Sequence, residues 1–490
     1  MNRIVAYSLT MASSQRLFLI LFFTRLALLF VMCIVDHLVE DYDTSAFLVP
    51  SSETSLALKC MTHWDGLHFL HISLHGYTHK LLVAFFPLFP LVGLGILPQI
   101  FTILYEFSSG GSSLLAGVVS TVGFGVVLNC AAFACAGVTL RHITCLMLED
   151  GKLYDSEMNH AVKCTAPTNS DMPSSVSRRT VSSSDQSVSK VCNQAQDDDA
   201  FVSATVWSFI FSPSSVFTVS LYTESVFAAL TFQVIFSLRR CSDYDWMYIL
   251  LFSCLASFTR ANGILMAPLA LLFLLRRVFV HQKGGMNSFP SKRADHISTW
   301  FQIQRRSLLI VVAVTVGGGA PFLIVNYFSA LSFAQWRETA SQRSASSLMW
   351  SFYQEVQREY WKVSFLGSWE AANLPNFVLM APTICALIYG STLSLLHKKP
   401  VNRSLDGKLY LLTLLRLPEV TFLAMQVLFA LLFMHVQVLQ RFIFSSPALY
   451  WCSSLILTRG SDTIKRLWLW YWAVVIPISI VMFCNFFPWT

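Results

Sequence analysis

HWDGLHFLHISLHGYTHKLLVAFFPLFP, residues 63 to 90, is the stretch on which the reading of this chain turns. It sets a carboxylate, Asp65, directly after Trp64 and ahead of an apolar run broken by Pro87 and Pro90. A polar head that passes straight into a hydrophobic wall is the pattern of a chain entering a membrane from its surface. His68, His71 and His75 recur at three- and four-residue spacing, so they share one face of a helix, and Phe69, Leu70, Ile72 and Leu74 supply its apolar part.

The whole composition agrees. Of 490 residues, 54% are hydrophobic and only 12% charged, whereas charged residues make up about a quarter of an ordinary soluble domain. The expected class is all-α, a polytopic transmembrane helical bundle. A net charge of +7, with basic residues in short clusters between apolar runs, is membrane-flanking charge and not a nucleic-acid stripe. The twelve cysteines are scattered singly without a C-x-x-C pair, so neither a disulfide framework nor a zinc ribbon is expected.

A spanning helix needs about 20 mostly apolar residues. Leu17 to Val35 nearly provides them, with Arg25 inside and Arg3 and Arg16 before it, which favours a cytosolic N-terminus and puts the 36 to 80 loop, with Asp65, on the other side. Leu81 to Tyr105 reads as a span kinked by Pro87, Pro90 and Pro98; Ser113 to Leu148 fits one long helix or two short ones. Residues 149 to 199, rich in serine, are expected to be a disordered insertion. Residues 201 to 237 should break at Ser212-Pro213 and restart at Tyr222 to Ser225, and 246 to 275 should break at TRANG around Arg260.

The basic loop 276 to 306 belongs in the cytosol, and 330 to 374 forms a second large loop on the side of Asp65. Spans at 307 to 329, 375 to 396, 408 to 435, 436 to 458 and 467 to 487 complete eleven to thirteen crossings. Six segments lie between Asp65 and the basic loop, yet opposite sides need an odd number, so Ser113 to Leu148 crosses twice or one broken segment is re-entrant. The sequon Asn402-Arg403-Ser404 falls on the cytosolic side and should stay unglycosylated. Three regions result: 1 to 148, the 149 to 199 insertion, and 200 to 490.

Asp65 suits a general base at a membrane surface; equally, it suits the cap of a helix starting at Gly66. The histidines invite a metal, but an interfacial helix explains their spacing as well. Asp41-Tyr42-Asp43 and Asp243-Tyr244-Asp245 have the D-x-D form that bridges a cation to a diphosphate, and the second reads as an ordinary solvated turn. Glu224, Arg260, His435 and Arg441 lie inside apolar runs, where ionisable groups are functional by default. The two arginines suit a phosphate, or pair with Glu224 or Glu419 to hold the bundle.

Taken in order, HWDGLHF, HGY, AFFPLFPL, FSPSSVF with LYTES, SFTRANG, YWKVSFL with LPNF, and RFIFSSPALYW resemble the PIG-V family of GPI mannosyltransferases. The N-terminal residues, the serine-rich insertion and the last span lie outside that resemblance. It implies a GT-C fold with two large luminal loops, in the endoplasmic reticulum membrane, with a luminal active site. The implied reaction adds the second, α1,6-linked mannose to the glycosylphosphatidylinositol precursor from dolichyl phosphate mannose, with inversion. The resemblance carries an essential role onto Trp64 and Asp65, and His63 beside them completes the expected catalytic set. Substrate would meet His68, Tyr77, Tyr222, Glu224, Arg260, Asn262, Asn376 and Arg441, and the lipid tail would lie along Phe86, Pro87 and Pro90. No metal and no cofactor beyond the lipid-linked donor are expected; the partners are the donor, the acceptor glycolipid, membrane lipids and an accessory membrane subunit. Leu67, where a polar residue is expected, and the long insertion depart from the family pattern. A transporter would show internal repeats, of which the sequence has none, and a scramblase or scaffold would not need the HWD carboxylate.

Overall fold

The computed structural model describes residues 2–42, 56–109, 121–165, 183–240, 242, 244–284, 293–333, 345–396 and 417–487. Every regular element among them is helical. α1 (Asn2–Leu38) is followed by a 3-10 turn (Leu56–Thr62) and α2 (Asp65–His75), then by a second turn (Lys80–Ala84), a π-helical stretch (Leu88–Ile96) and α3 (Leu97–Ser109). α4 (Thr121–Thr165), α5 (Ser183–Ile210), α6 (Glu224–Arg240), α7 (Asp245–Thr259), α8 (Met266–Gly284) and α9 (Arg293–Ser332) form the middle. α10 (Ala345–Trp361), α11 (Leu374–Leu396), α12 (Pro418–Phe433), α13 (Leu439–Ile443), α14 (Pro447–Arg459) and α15 (Asp462–Cys484) complete the order.

Among the described residues, five helices are long and apolar enough to cross a membrane: Ser14–Leu38, Thr121–Asp150, Arg305–Ser332, Ala371–Leu393 and Asp462–Cys484. Shorter apolar helices lie at Leu88–Leu104, Asp245–Thr259, Ala261–Arg276 and Pro418–Phe433. The chain is an all-helical, multi-pass membrane protein. Several stretches counted toward the eleven to thirteen expected spans, 113–120 and 408–416 among them, lie outside the described residues, as do Asp43, Asp243, Asn402 and 166–182 of the serine-rich insertion.

The breaks read from prolines and polar residues are where the helices stop. α5 ends at Ile210, before Pro213, and α6 opens at Glu224; α7 ends at Thr259 and α8 restarts after a 3-10 turn at Ala261–Leu265. From Thr121 onward the 113 to 148 segment is one helix, and it carries on to Thr165, so helix enters the insertion from both flanks. One expected span is corrected. Residues 436 to 458 are not continuous: a 3-10 turn at Val436–Val438 and the five-residue α13 precede α14, which starts at Pro447 because that residue lacks the N–H a longer helix would need. The loop 330 to 374 also contains a helix, α10.

α7 packs along α9, and α4 along α6, while α1 lies on α4 and α5 on α14. Arg25, inside α1, faces protein: it donates to the Thr218 hydroxyl (3.0 Å) and the Ile210 carbonyl (2.9 Å) and sits 4.1 Å over the Phe133 ring. At the TRANG break, Gly263 lets the turn fold back against α7, where an added Cβ would lie 2.5 Å from Ser257 N and 2.8 Å from the Ala256 carbonyl carbon. Backbone cannot yield as a flexible side-chain tip can. Gly263→Ala is expected to destabilise by roughly 1–3 kcal/mol, as overpacking does, seen as a lower melting temperature of the detergent-solubilised protein.

Candidate active site

The HWD stretch turns sharply because its neighbours leave it no alternative. Trp64 occupies the N-cap position of α2 with φ 56° and makes no side-chain cap, so Asp65 is the first helical residue and not the cap, which is one of the two roles open to it from sequence. Its carboxylate is therefore free of capping. His63 is fully buried with its ring 3.8 Å from that of Phe486, and Trp64 Nε1 donates to the Phe483 carbonyl (3.3 Å) with its ring 5.7 Å from Phe486. Phe486 also has a positive φ, 53°. Two non-glycine residues in this region, each costing on the order of 1–3 kcal/mol, persist only where packing over-determines them. The end of α15 supplies that packing: Asn485 Nδ2 donates to the Val39 carbonyl (2.7 Å), and the Asn485 carbonyl accepts from Tyr42 N (2.8 Å).

Four charged side chains meet at the head of α2. Arg441, on α13, donates from Nη2 to Asp65 Oδ2 (3.0 Å) and from Nε to Glu224 Oε1 (2.7 Å). Arg260, at the end of α7, reaches the same Glu224 oxygen (2.8 Å). The Asp65 backbone N–H donates to the Tyr222 hydroxyl (3.0 Å), and the Arg441 guanidinium lies 4.6 Å and 4.8 Å over the rings of Phe217 and Tyr222. The Glu224 side chain is 0% exposed and that of Asp65 33%, so Asp65 is the carboxylate that a substrate can touch. Every break described above serves this cluster: α6 opens at Glu224, α7 stops at Arg260, and the corrected break at 436 to 446 places Arg441.

Of the two alternatives for the arginines, both pair with Glu224, while Glu419 belongs elsewhere. It takes Arg239 bidentately (2.5 and 2.8 Å), and Arg239 with Arg276 also holds Asp150, tying α4, α6, α8 and α12 together. The remaining sequence candidates sit around or away from the quartet. His68 packs 4.9 Å from the Phe85 ring; the Tyr77 hydroxyl donates to the Phe85 carbonyl (2.6 Å). Asn262 is half-buried in the turn after Arg260, and Asn376 donates to Gln437 (2.7 Å), four residues before Arg441. Phe86 is a core side chain, 1% exposed, against Phe322 and Tyr353, and Pro90 is buried, so the proposed tail wall presents Pro87 and not these two. His435 donates to the Trp361 carbonyl (2.5 Å).

Asp245 corrects the reading of its D-x-D as a solvated turn: it is fully buried and binds Arg240 and the Ser242 N–H. Asp41 pairs with Lys59 (3.0 Å). His71 bonds Thr78 (2.8 Å), which bonds His79 (2.8 Å), and among the described residues no group of three His, Cys, Asp or Glu is arranged to hold a metal. Sequence reasoning missed Phe483, Asn485 and Phe486, whose contacts with residues more than 400 positions earlier leave no local signal.

Burial pushes the His63 imidazole down from 6.5 to about 4, although nearby Asp41 and the carbonyls of Phe483 and Cys484 pull the other way. Its ring nitrogens make no hydrogen bond of ordinary geometry. The unfolded chain takes up that proton near pH 6.5 and the folded chain only near 4. Stability from a neutral His63 is therefore complete above about 6.5 and is lost as pH falls toward about 4, by roughly 3 kcal/mol at ~1.4 kcal/mol per pH unit. Thermal unfolding from pH 7.5 to 4.5 should fall more steeply for wild type than for His63→Asn.

The PIG-V mannosyltransferase profile matches residues 4–169 and 184–490. The chain belongs to the PIG-V mannosyltransferase family. The match corrects the narrower reach read from motifs, since it takes in the N-terminal helix and the last span, whose end clamps HWD. GPI alpha-1,6-mannosyltransferase 2 of Homo sapiens is 25% identical, covering 95% of this chain and 96% of its own length. GPI mannosyltransferase 2 of Yarrowia lipolytica is 29% identical over 59% of this chain and 66% of its own, and that of Drosophila pseudoobscura pseudoobscura 23% over 95% and 98%. This PIG-V chain is a glycosyltransferase, a GPI mannosyltransferase, and neither a transporter nor a scaffold is favoured.

Proposed function

We propose that the chain adds the second, α1,6-linked mannose to the GPI precursor from dolichyl phosphate mannose, at the luminal face of the endoplasmic reticulum membrane, with Asp65 as base. The observation that carries this reading is the accessible Asp65 carboxylate paired with Arg441, which shares the buried Glu224 with a second guanidinium, that of Arg260. The acceptor 6-hydroxyl gives its proton to Asp65 as its oxygen bonds to the donor anomeric carbon; the bond from that carbon to the phosphate breaks, the configuration inverts from β to α, and dolichyl phosphate leaves. Arginine hydrogen bonds offset the charge that grows on the departing phosphate. No step calls for a metal or cofactor.

The quartet is neutral as it stands, with two carboxylates against two guanidiniums. A donor phosphate finds no spare positive charge until it replaces Asp65 on Arg441. Donor arrival thereby releases the carboxylate that the acceptor needs, and Asp65 is restrained from activating water while the donor is absent. Partners are the donor, the acceptor glycolipid and surrounding lipids, with an accessory membrane subunit. Expressed in cells lacking their own PIG-V enzyme, the chain should consume the one-mannose GPI precursor, followed by mannose labelling of lipids. Persistence of that precursor beside well-expressed protein would refute the assignment.

A further inference from the structure

About 20 Å from the HWD clamp along α15, by 1.5 Å per helical residue from Phe483 to Trp468 and Trp472, lies a second polar feature with no part in the reaction above. α5, the 211–214 loop, α11, α13, α14 and α15 enclose a small, partly open cavity with room for little more than one water-sized group. Its lining contains Ser214, Thr383, Gln440, Ser453, Trp468 and Trp472 and, among the described residues, no charged side chain. Gln440 is already spent on Thr383 (3.1 Å) and the Tyr471 hydroxyl (2.7 Å).

Three other groups are not spent. Trp468 Nε1, Trp472 Nε1 and Ser214 Oγ are buried without a hydrogen-bond partner, in side chains 7%, 6% and 1% exposed. A buried indole N–H normally finds an acceptor, because leaving it bare forfeits the bond it makes in water. An indole can only donate, so two unpartnered indoles among the residues that line one cavity call for an acceptor oxygen. The absence of any cation from the lining specifies a neutral oxygen, not a phosphate.

The position says where that oxygen comes from. Trp468 and Trp472 follow Lys465 and Arg466 by less than two turns of α15, the depth at which tryptophans meet the membrane interface. Phe211, exposed on the outer surface, stacks on Trp472 at 6.3 Å, so the cavity lies one ring behind the lipid-facing side. We propose that this cavity receives the ester carbonyl oxygen of a membrane glycerolipid, with the indoles of Trp468 and Trp472 and the Ser214 hydroxyl as donors. The lipid sits toward the end of the bundle away from Asp65. Gln440 of α13, next to Arg441, lines the same cavity.

The test compares retention of two probes by the purified full-length protein, using native mass spectrometry after exchange into equal amounts of diester and diether phosphatidylcholine. Only the diester has the carbonyl. Wild type is expected to favour it by roughly five- to thirty-fold, the effect of one or two hydrogen bonds, and Trp468→Phe with Trp472→Phe should abolish the preference while keeping the rings. Equal retention by wild type, as when the cavity holds water alone, overturns the proposal. So does a preference that survives the double variant or, if that variant fails to fold, one that Ser214→Ala leaves undiminished. None of these readouts depends on mannosyl transfer, so the proposal can fail while the assigned reaction stands.

Discussion

Asp65→Asn is expected to reduce mannosyl transfer in microsomes by about 10²- to 10⁴-fold, the range for loss of a positioned base, at unchanged protein level. Asparagine keeps the volume and one acceptor oxygen for Arg441 Nη2, now 3.0 Å from Asp65 Oδ2, and the helix start does not depend on this side chain because it makes no cap. A second signature separates loss of the base from damage. The substitution takes the quartet from neutral to one net positive charge, so the donor phosphate no longer competes with a carboxylate for Arg441. Donor KM should therefore fall while kcat collapses, whereas a distorted site would raise KM. Full activity in Asp65→Asn would remove the carboxylate from the chemistry.

What the sequence made legible was local. Pro213 and the Pro87–Pro98 run announce themselves within a few residues, because proline removes a donor and restricts its predecessor wherever it occurs, and the TRANG break does so because Arg260, Asn262 and Gly263 interrupt an apolar run. The helix ends bearing Glu224 and Arg260 were therefore placed correctly from residues alone. Partner choice was not legible. Arg441 meets Glu224 across 217 positions and Asp65 across 376, and nothing in spacing distinguishes Glu224 from Glu419 as its counterion. The capping alternative for Asp65 failed for a related reason. A carboxylate before glycine and an apolar run has the chemistry of an N-cap, but packing of His63 and Trp64 against Phe486 forces the turn one residue earlier. Asp245 looked solvated because flanking arginines in sequence resemble a surface turn, whereas burial closed around its pair with Arg240.

Arg441→Lys is the substitution that assigns the phosphate contact. One ammonium cannot reproduce a fork that reaches Glu224 from Nε at 2.7 Å and Asp65 from Nη2 at 3.0 Å, so charge is kept and geometry is lost. Transfer should fall by about 10²- to 10³-fold, the effect of removing one donor to a developing negative charge. Arg260→Lys alters its contact with Glu224 (2.8 Å), which an ammonium can replace, and its placement over the Phe227 ring (5.8 Å), and should lose no more than about ten-fold. The reverse ranking would assign the departing phosphate to Arg260. Glu224→Gln supplies the control for architecture. With that buried anion gone, two guanidiniums face a neutral amide and Arg260 loses its counterion, a change on the order of 3–5 kcal/mol for a buried pair. It should appear first as a lowered melting temperature and reduced accumulation, with transfer per folded molecule falling only secondarily. Comparing the three variants on both scales separates the residue that holds the arginines from the arginine that holds the substrate.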